Sequence, residues 1–291
     1  LTEVEMSHAV GDDVHGLYVF AENPAITEPH SSRIEAELEE AFLVVQDLFM
    51  TETAEYADVI LPGSAWAEKS GTVTNTDRRV QMMRQMRDPP GDAKTDLEII
   101  QEFGRRMTDL DVEYDDAEAV FEELTDISPI YAGMSYDGIG DDYQRWPFYE
   151  GADAGVDVLH EDEFYSGSKT AEFAAVGHIP PGDEVEEDEL VLTTGRVLQH
   201  FNSGAMSRRT ETLMRMRGED TLEMHPSDAE ERGIEDGDAV VVENERGEVE
   251  VEVAVTSAIT EGTVFMTFHY ADPLVNTLTG DYLDPVAKIP E

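Results

Sequence analysis

Nine guanidinium groups are massed at two places in a chain that is otherwise strongly anionic. Residues 196–217 hold Arg196, Arg208, Arg209, Arg215 and Arg217 against one acid, Glu211, a local charge of +4. The chain-wide mean would give about −4 over the same length. Residues 77–87 hold Arg78, Arg79, Arg84 and Arg87 against Asp77, a local charge of +3. A guanidinium fork binds phosphate oxygens two at a time, and backbone amides near Gly can cradle the same oxygens. Arg concentrated in this way points to a clefted, phosphate-bearing anion. The competing reading pairs these Arg with neighbouring surface carboxylates, and both readings stay open at this point.

The first cluster is entered through Thr194-Gly195-Arg196-Val197-Leu198-Gln199-His200-Phe201-Asn202-Ser203-Gly204, a strand end running into a Gly-bounded loop. Such a loop can bring backbone close to a ligand. Other chemistry is harder to find. The eight His show no i,i+3 or i,i+4 pairing, so a His-based metal site is unsupported. Neither Gly63-Ser64-Ala65 nor Ser203-Gly204 forms a nucleophile elbow, and no Gly-x-Gly-x-x-Gly or Walker loop occurs. The twelve Met, Met82, Met83 and Met86 among them, read as core filling. With no Cys, the chain itself offers no disulfide, thiolate metal site, iron–sulfur ligand or cysteine nucleophile.

The 291 residues carry 66 Asp and Glu against 19 Lys and Arg, a net charge of −47. That balance excludes general nucleic-acid binding and argues against an anionic membrane surface. A 40% hydrophobic content is enough for a core. Only four Lys (Lys69, Lys94, Lys169, Lys288) remain. A Lys-poor, carboxylate-rich surface suits high salt, which screens its self-repulsion. It predicts a cytoplasmic protein of a salt-in halophile. No 18-residue apolar run occurs, so no membrane insertion is expected, and no signal peptide is visible. A start at Leu1, running into an acidic helix-like stretch, is expected of a piece of a longer polypeptide.

The elements that must position these groups fall into three stretches. Residues 1–125 read as α/β. Leu17–Phe20, Phe42–Val45 and Asp58–Leu61 are strands. A helix from about Ser32 is capped by the Ser32/Glu35 box, with Ile34, Leu38 and Ala41 inward, and a short helix runs through Tyr56. Alternating strands and helices predict a parallel sheet with ligands at the strand C-termini, where Asn23 and Asp47 fall. Asp96–Met107 is a helix with Leu97, Ile100, Phe103 and Met107 on one side, and Ala117–Leu124 is another. Residues 126–185 read as irregular connection, closing in the acidic run Asp183–Glu189. Residues 186–291 turn to β. Leu190–Thr193 and Thr263–Phe268 are strands, Pro226–Arg232 is a helix ended by Gly233, and Ala239–Glu243 and Glu248–Val255 form a hairpin. Several short strands there predict a small closed barrel.

Residue order carries a resemblance. Gln46-Asp47-Leu48-Phe49-Met50-Thr51-Glu52-Thr53-Ala54, Ala57-Asp58-Val59-Ile60-Leu61-Pro62, Ala67-Glu68-Lys69-Ser70-Gly71-Thr72 and Asn75-Thr76-Asp77-Arg78-Arg79-Val80-Gln81 follow one another in order. Glu22-Asn23-Pro24, the run Thr194 to Arg209, His225-Pro226-Ser227-Asp228-Ala229, Gly233-Ile234, Asn276-Thr277-Leu278-Thr279 and Asp284-Pro285 continue the pattern. Together they resemble the molybdopterin oxidoreductase family, the large subunit of molybdenum-dependent formate dehydrogenase above all. The resemblance spans all but about residues 126–185. It implies an α/β lobe followed by a six-stranded double-psi barrel that binds the dinucleotide. It implies molybdenum held by two molybdopterin guanine dinucleotides. By motif position the cofactor contacts are Asn23, Gln46, Asp47, Lys69, Asp96, Thr194, Gly195, Arg196, Val197, Leu198, His200, Ser203 and Asn276. Carboxylates such as Asp47 and Asp96 suit guanine N–H or ribose hydroxyls; Lys69, Arg196 and loop amides suit pyrophosphate. Asp47 as a turn residue and Lys69 as a solvated loop cation are the local alternatives.

The sequence also departs from that family. Its iron–sulfur cysteines, its metal-ligating Cys or selenocysteine and the neighbouring His and Arg belong to an N-terminal half not in this chain, and its final strand lies past Glu291. Phe201-Asn202-Ser203 replaces the family's aromatic-His-Thr. No catalytic residue and no metal ligand is therefore expected here; an iron–sulfur cluster is expected only in the N-terminal part. Expected partners are formate or a similar small anion, the N-terminal half, and electron-transfer subunits. The alternatives are an assimilatory nitrate reductase-type subunit, a free-standing molybdopterin-binding module, and a halophilic α/β protein whose Arg clusters are salt bridges.

Overall fold

The computed structural model describes residues 2–109, 113–175, 177–178, 182, 185–186, 188–284 and 288. The chain divides into two compact units, one of Leu1–Ile60 with Ile179–Glu291 and the other of Leu61–His178.

The first unit opens with α1 (Glu3–His8), β1 (Gly16–Phe20), α2 (Pro24–Thr27), α3 (Ser31–Glu40) and β2 (Phe42–Asp47). β3 (Val59–Pro62), within which the division between the units falls, completes a sheet of order β1-β2-β3. β1 and β2 are parallel, with Gly16 opposite Phe42 and Phe20 opposite Gln46. Parallel neighbours need a crossover, and α2 and α3 supply it. The apolar run of β2 is buried on both faces, and Leu43 and Val45 join Ala25, Ile34, Leu38 and Ala54 in one core. α3 keeps the expected inward Ile34 and Leu38, but its start is not the Ser32/Glu35 box. The helix begins at Ser31 after His30, which is left-handed at φ 56°. Ser31 Oγ bonds Thr277 Oγ1 at 3.1 Å and His30 N donates to Thr279 Oγ1 at 3.4 Å. Tertiary partners hold this helix start in place of a local cap.

The second unit holds β4 (Gly71–Thr74), β5 (Arg79–Met83), α4 (Asp96–Met107), α5 (Ala117–Ile127), α6 (Tyr136–Ile139) and β6 (Gln144–Arg145). β4 and β5 form an antiparallel hairpin, and β6 joins it in the order β4-β5-β6. Periodicity did not announce this hairpin. α4 has its expected bounds and a Thr95 cap, yet it buries Ile99 and Gln101. Ile100 and Met107, expected on one side with Leu97 and Phe103, are 47% and 67% exposed. Ile99 and Phe103, one turn apart, line a cavity with Leu61 and Pro62. Packing selects that row over Leu97–Ile100. The stretch from 126 is irregular for most of its length, but it is not only a connection. Met134, Ile139 and Phe148 are buried with Val80 and Phe121 as this unit's core. The acidic run 183–189 lies partly outside the described residues, as does Pro285.

The first unit then resumes with β7 (Val191–Gly195), α7 (Glu211–Met216), β8 (Leu222–Met224), α8 (Pro226–Arg232), β9 (Ala239–Glu243), β10 (Glu248–Val255) and β11 (Thr263–Thr267). They form one mixed sheet of order β7-β11-β8-β10-β9. β7 runs parallel to β11 and β8 parallel to β10, while β8 is antiparallel to β11 and β9 to β10. Val249, Val251 and Val253 point into a core with Leu222, Met224, Val264 and Met266. The closed barrel expected from the strand count is not seen among the described residues. Among the described residues no pairing joins β7 to β9. Strand alternation specifies a wet and a dry face, but closure needs matched tilt and stagger that alternation does not encode.

Candidate functional site

β7 ends at Gly195, and the next nine residues form the loop that the Arg cluster and the motifs singled out. Its shape is set by left-handed backbone at Asn202 (φ 47°) and Gly204 (φ 71°). A Cβ on Gly204 would lie 2.7 Å from the His269 carbonyl oxygen, so the position has room only for glycine. Two buried histidines hold the loop from inside. His200 Nε2 donates to the Arg217 carbonyl at 2.7 Å, and its Nδ1 pairs with Ser207 Oγ at 3.1 Å. The Val197 amide donates to His269 Nε2 at 3.0 Å, and His269 Nδ1 donates to the Asn202 carbonyl. The interior is thus tied down while Leu198 (98% exposed) and Phe201 (66%) project outward.

A cavity of about 1670 Å³ opens beside this loop in the first unit. Thr194, Arg196, Asn202, Phe268, Asn276 and Thr279 are on its wall. Small-molecule pockets usually measure ~300–1,000 Å³, so this one has room for a ligand of dinucleotide size. Arg196 is exposed, and its guanidinium stacks over the Phe268 ring at 5.2 Å. Among the described residues it makes neither an ion pair nor a hydrogen bond. Its five donors are free for an anion.

The other clustered Arg are engaged. Arg208 Nη2 reaches Glu52 Oε1 at 2.8 Å and its Nε the Ser203 carbonyl at 3.2 Å. Arg209 donates to the Ala205 and Met50 carbonyls and stacks on Phe49. Arg215 pairs with Glu211, and Arg217 with Thr221 and Glu223. In the second unit, Arg78 donates to the Trp146, Val156 and Asp157 carbonyls, and Arg79, Arg84 and Arg87 pair with Asp77, Asp141 and Glu68. For the 77–87 cluster the salt-bridge reading accounts for what is seen.

Several motif residues are committed to the scaffold. Asn23 is buried, accepts from Thr53 N and Oγ1, and donates to Glu52 Oε2 at 2.8 Å. Asn276 donates to the Ile26 carbonyl at 2.7 Å and accepts from Thr279. Gln46 is buried and takes the Tyr18 hydroxyl. Asp47, at the C-terminal end of β2, accepts from the Leu48 and Phe49 amides; burial nevertheless pushes its carboxyl above the usual range. Burial pushes Glu52 up too, but hydrogen bonds from Arg208 and Asn23 outweigh it and leave the carboxyl below its usual range. In the second unit Lys69 is hydrogen-bonded to Asp96, the first residue of α4, so neither group is free there.

Sequence reasoning missed His269 and Asp220. Asp220 is 3% exposed and accepts from the Thr221 and Thr267 amides at 2.9 and 3.0 Å. Burial raises its pKa to about 6. Burial lowers that of His269, with Arg196 and His200 adding repulsion. The only signal available was the polar His269-Tyr270 step immediately after an apolar strand. Among the described residues no group of three or more His, Cys, Asp or Glu is placed to hold a metal ion, and no helix is long and apolar enough to cross a membrane.

Residues 2–106 match the family described as "Molybdopterin oxidoreductase", and residues 190–291 the "Molydopterin dinucleotide binding domain". The chain is thus similar to molybdopterin oxidoreductases in its first 106 residues and to molybdopterin dinucleotide-binding domains in its last 102. Among individual relatives, it is 37% identical to "F420-dependent formate dehydrogenase 2 subunit alpha" of Methanococcus maripaludis, over 100% of this chain and 44% of that protein. It is 34% identical to "Assimilatory nitrate reductase catalytic subunit" of Bacillus subtilis, over 98% and 42%. The solved "Acetylene Hydratase from Pelobacter acetylenicus" shares the fold, with a TM-score of 0.75 at 20% identity over 98% of this chain and 44% of that one. The chain spans less than half the length of these relatives.

Proposed function

We propose that this chain is the C-terminal, cofactor-binding portion of a formate dehydrogenase-like molybdenum oxidoreductase. Its cofactor is a molybdenum bis(molybdopterin guanine dinucleotide), and it works in the cytoplasm. The observation that carries this reading is Arg196: a cation with no ion pair or hydrogen bond among the described residues, stacked on Phe268 on the wall of the first unit's large cavity. Its chemistry fits a diphosphate, and the cavity volume leaves room for a dinucleotide. In this reading residues 1–125 belong to the molybdopterin oxidoreductase domain, 126–185 to the connection and 186–291 to the dinucleotide-binding domain.

Arg196 and the Thr194–Ser203 loop bind the pyrophosphate. Asp47, Lys69 and Asp96 keep the contact roles assigned by motif position; Lys69 and Asp96 first have to exchange each other for ligand groups. Asn23, Gln46, His200, Ser203 and Asn276 hold the loops that make the contacts. When bound, the cofactor takes up the two electrons released as formate becomes carbon dioxide and a proton. Nothing in this chain catalyses that step; it binds and orients, while the N-terminal half and electron-transfer subunits supply the rest.

The test is Arg196→Ala in the complete polypeptide, with molybdenum and guanine nucleotide measured on the purified protein. Loss of most of both at unchanged yield is expected. Full retention overturns the reading and leaves the Arg clusters as salt bridges. Formate-dependent dye reduction by the parent enzyme is expected; nitrate reduction without formate oxidation moves the assignment to the nitrate reductase-type relative, which the 34% identity keeps in view.

A further inference from the structure

An imidazole carries two nitrogens on one rigid ring, and His269 spends both on the same loop. The ring is 0% exposed, two residues past the end of β11. Because the Val197 amide donates to Nε2, that nitrogen holds no proton. The proton is on Nδ1 and is given to the Asn202 carbonyl. The contacts bridge positions 197 and 202, whose intervening residues include the exposed Leu198 and Phe201. The chain also turns tightly against His269 itself. Asn202 is left-handed, and Gly204 lacks the Cβ that would strike the His269 carbonyl. An imidazolium has no acceptor for Val197, so only one of the ring's three protonation forms closes the loop.

We propose that His269 is a positioning residue: as the neutral Nδ1–H tautomer it bridges Val197 and Asn202 and presets the loop that carries Arg196 for an incoming diphosphate. The identity of that ligand rests on the cofactor reading above; the bridge does not.

The experiment uses the complete polypeptide labelled with nitrogen-15. Long-range nitrogen–proton spectra at neutral pH read the tautomer, and amide hydrogen exchange reads Val197 against the β10 amides as an internal standard. His269→Phe keeps the ring volume and removes both bonds. His269→Gln can accept from Val197 and donate to Asn202. Expected are an Nδ1-protonated ring in the parent and Val197 exchange accelerated at least about tenfold in H269F. H269Q is expected to restore most of the protection, with β10 unchanged in both variants. An Nε2-protonated or charged ring in the parent overturns the proposal, and so does equal Val197 protection in the parent and H269F. Should H269F fail to fold, the parent's tautomer and the H269Q exchange decide. Failure of the bridge leaves cofactor retention untouched as a test of the earlier reading, and loss of that reading leaves the bridge standing.

Discussion

Asp220 is a buried carboxylate whose surroundings favour its protonated form. Its folded pKa of about 6 lies above the ordinary 3.8, so the folded state holds its proton more tightly than the unfolded state does. The stabilisation from that proton is complete below about pH 4 and is lost as pH rises through about 6. The shift corresponds to about 3 kcal/mol at most. In Asp220→Asn the stability difference from the parent should therefore move in the variant's favour between pH 4 and 7, as read by denaturant melts at each pH. A pH-independent difference would show that Asp220 titrates normally. The clustered Arg divide at the same scale. Removing Arg208 strips Glu52 of its 2.8 Å partner beside buried Asn23, and Arg208→Met should cost about 2 kcal/mol in chemical denaturation. Arg196→Ala, which breaks no ion pair or hydrogen bond and only an exposed stack on Phe268, should stay within about 1 kcal/mol of the parent.

Among the elements, the loop after β7 depends on backbone that only glycine adopts easily. Gly204→Ala places a methyl group 2.7 Å from the His269 carbonyl at φ 71°. The left-handed strain alone costs ~1–2 kcal/mol, and the clash adds to it. A lowered melting temperature with an accelerated Val197 exchange is expected; an unchanged melt would mean the loop relaxes freely. Elements with local signals were legible. α8, with Pro226 at its start and left-handed Gly233 at its end, and the β9–β10 hairpin with its alternating Val and Glu, have the bounds expected. The β4–β5 hairpin had no comparable signal, since its strands are short and one carries Arg79 and Gln81. α3 starts within one residue of the expected Ser32, but not with the Ser32/Glu35 cap, because Thr277 and Thr279, nearly 250 residues away, supply what a local cap would.

For the whole molecule the dominant physical fact is a charge of −47. Carboxylates at this density repel one another, and the screening length falls from about 10 Å at 0.1 M salt to ~3 Å at 1 M. The unfolding midpoint should rise steadily as sodium chloride goes from 0.1 to 2 M in thermal melts at pH 7. A flat or falling midpoint would refute the expectation of a salt-adapted chain. Among the described residues, Arg196 is the clustered cation that faces the large cavity with no ion pair or hydrogen bond, so any diphosphate binding through it should weaken as salt is added.

Residue order alone was enough for the family resemblance, the parallel β1–β2 pair, the bounds of α8 and of the β9–β10 hairpin, and the massing of Arg, because each is written in neighbours or in short periods along the chain. It could not tell which Arg would be spent on carboxylates and carbonyls and which left open, nor that His269 would reach back some seventy residues to hold the loop. Nor could it show whether five strands would close on themselves. Those outcomes depend on distances between residues far apart in sequence, which exist only after the core of each unit has formed.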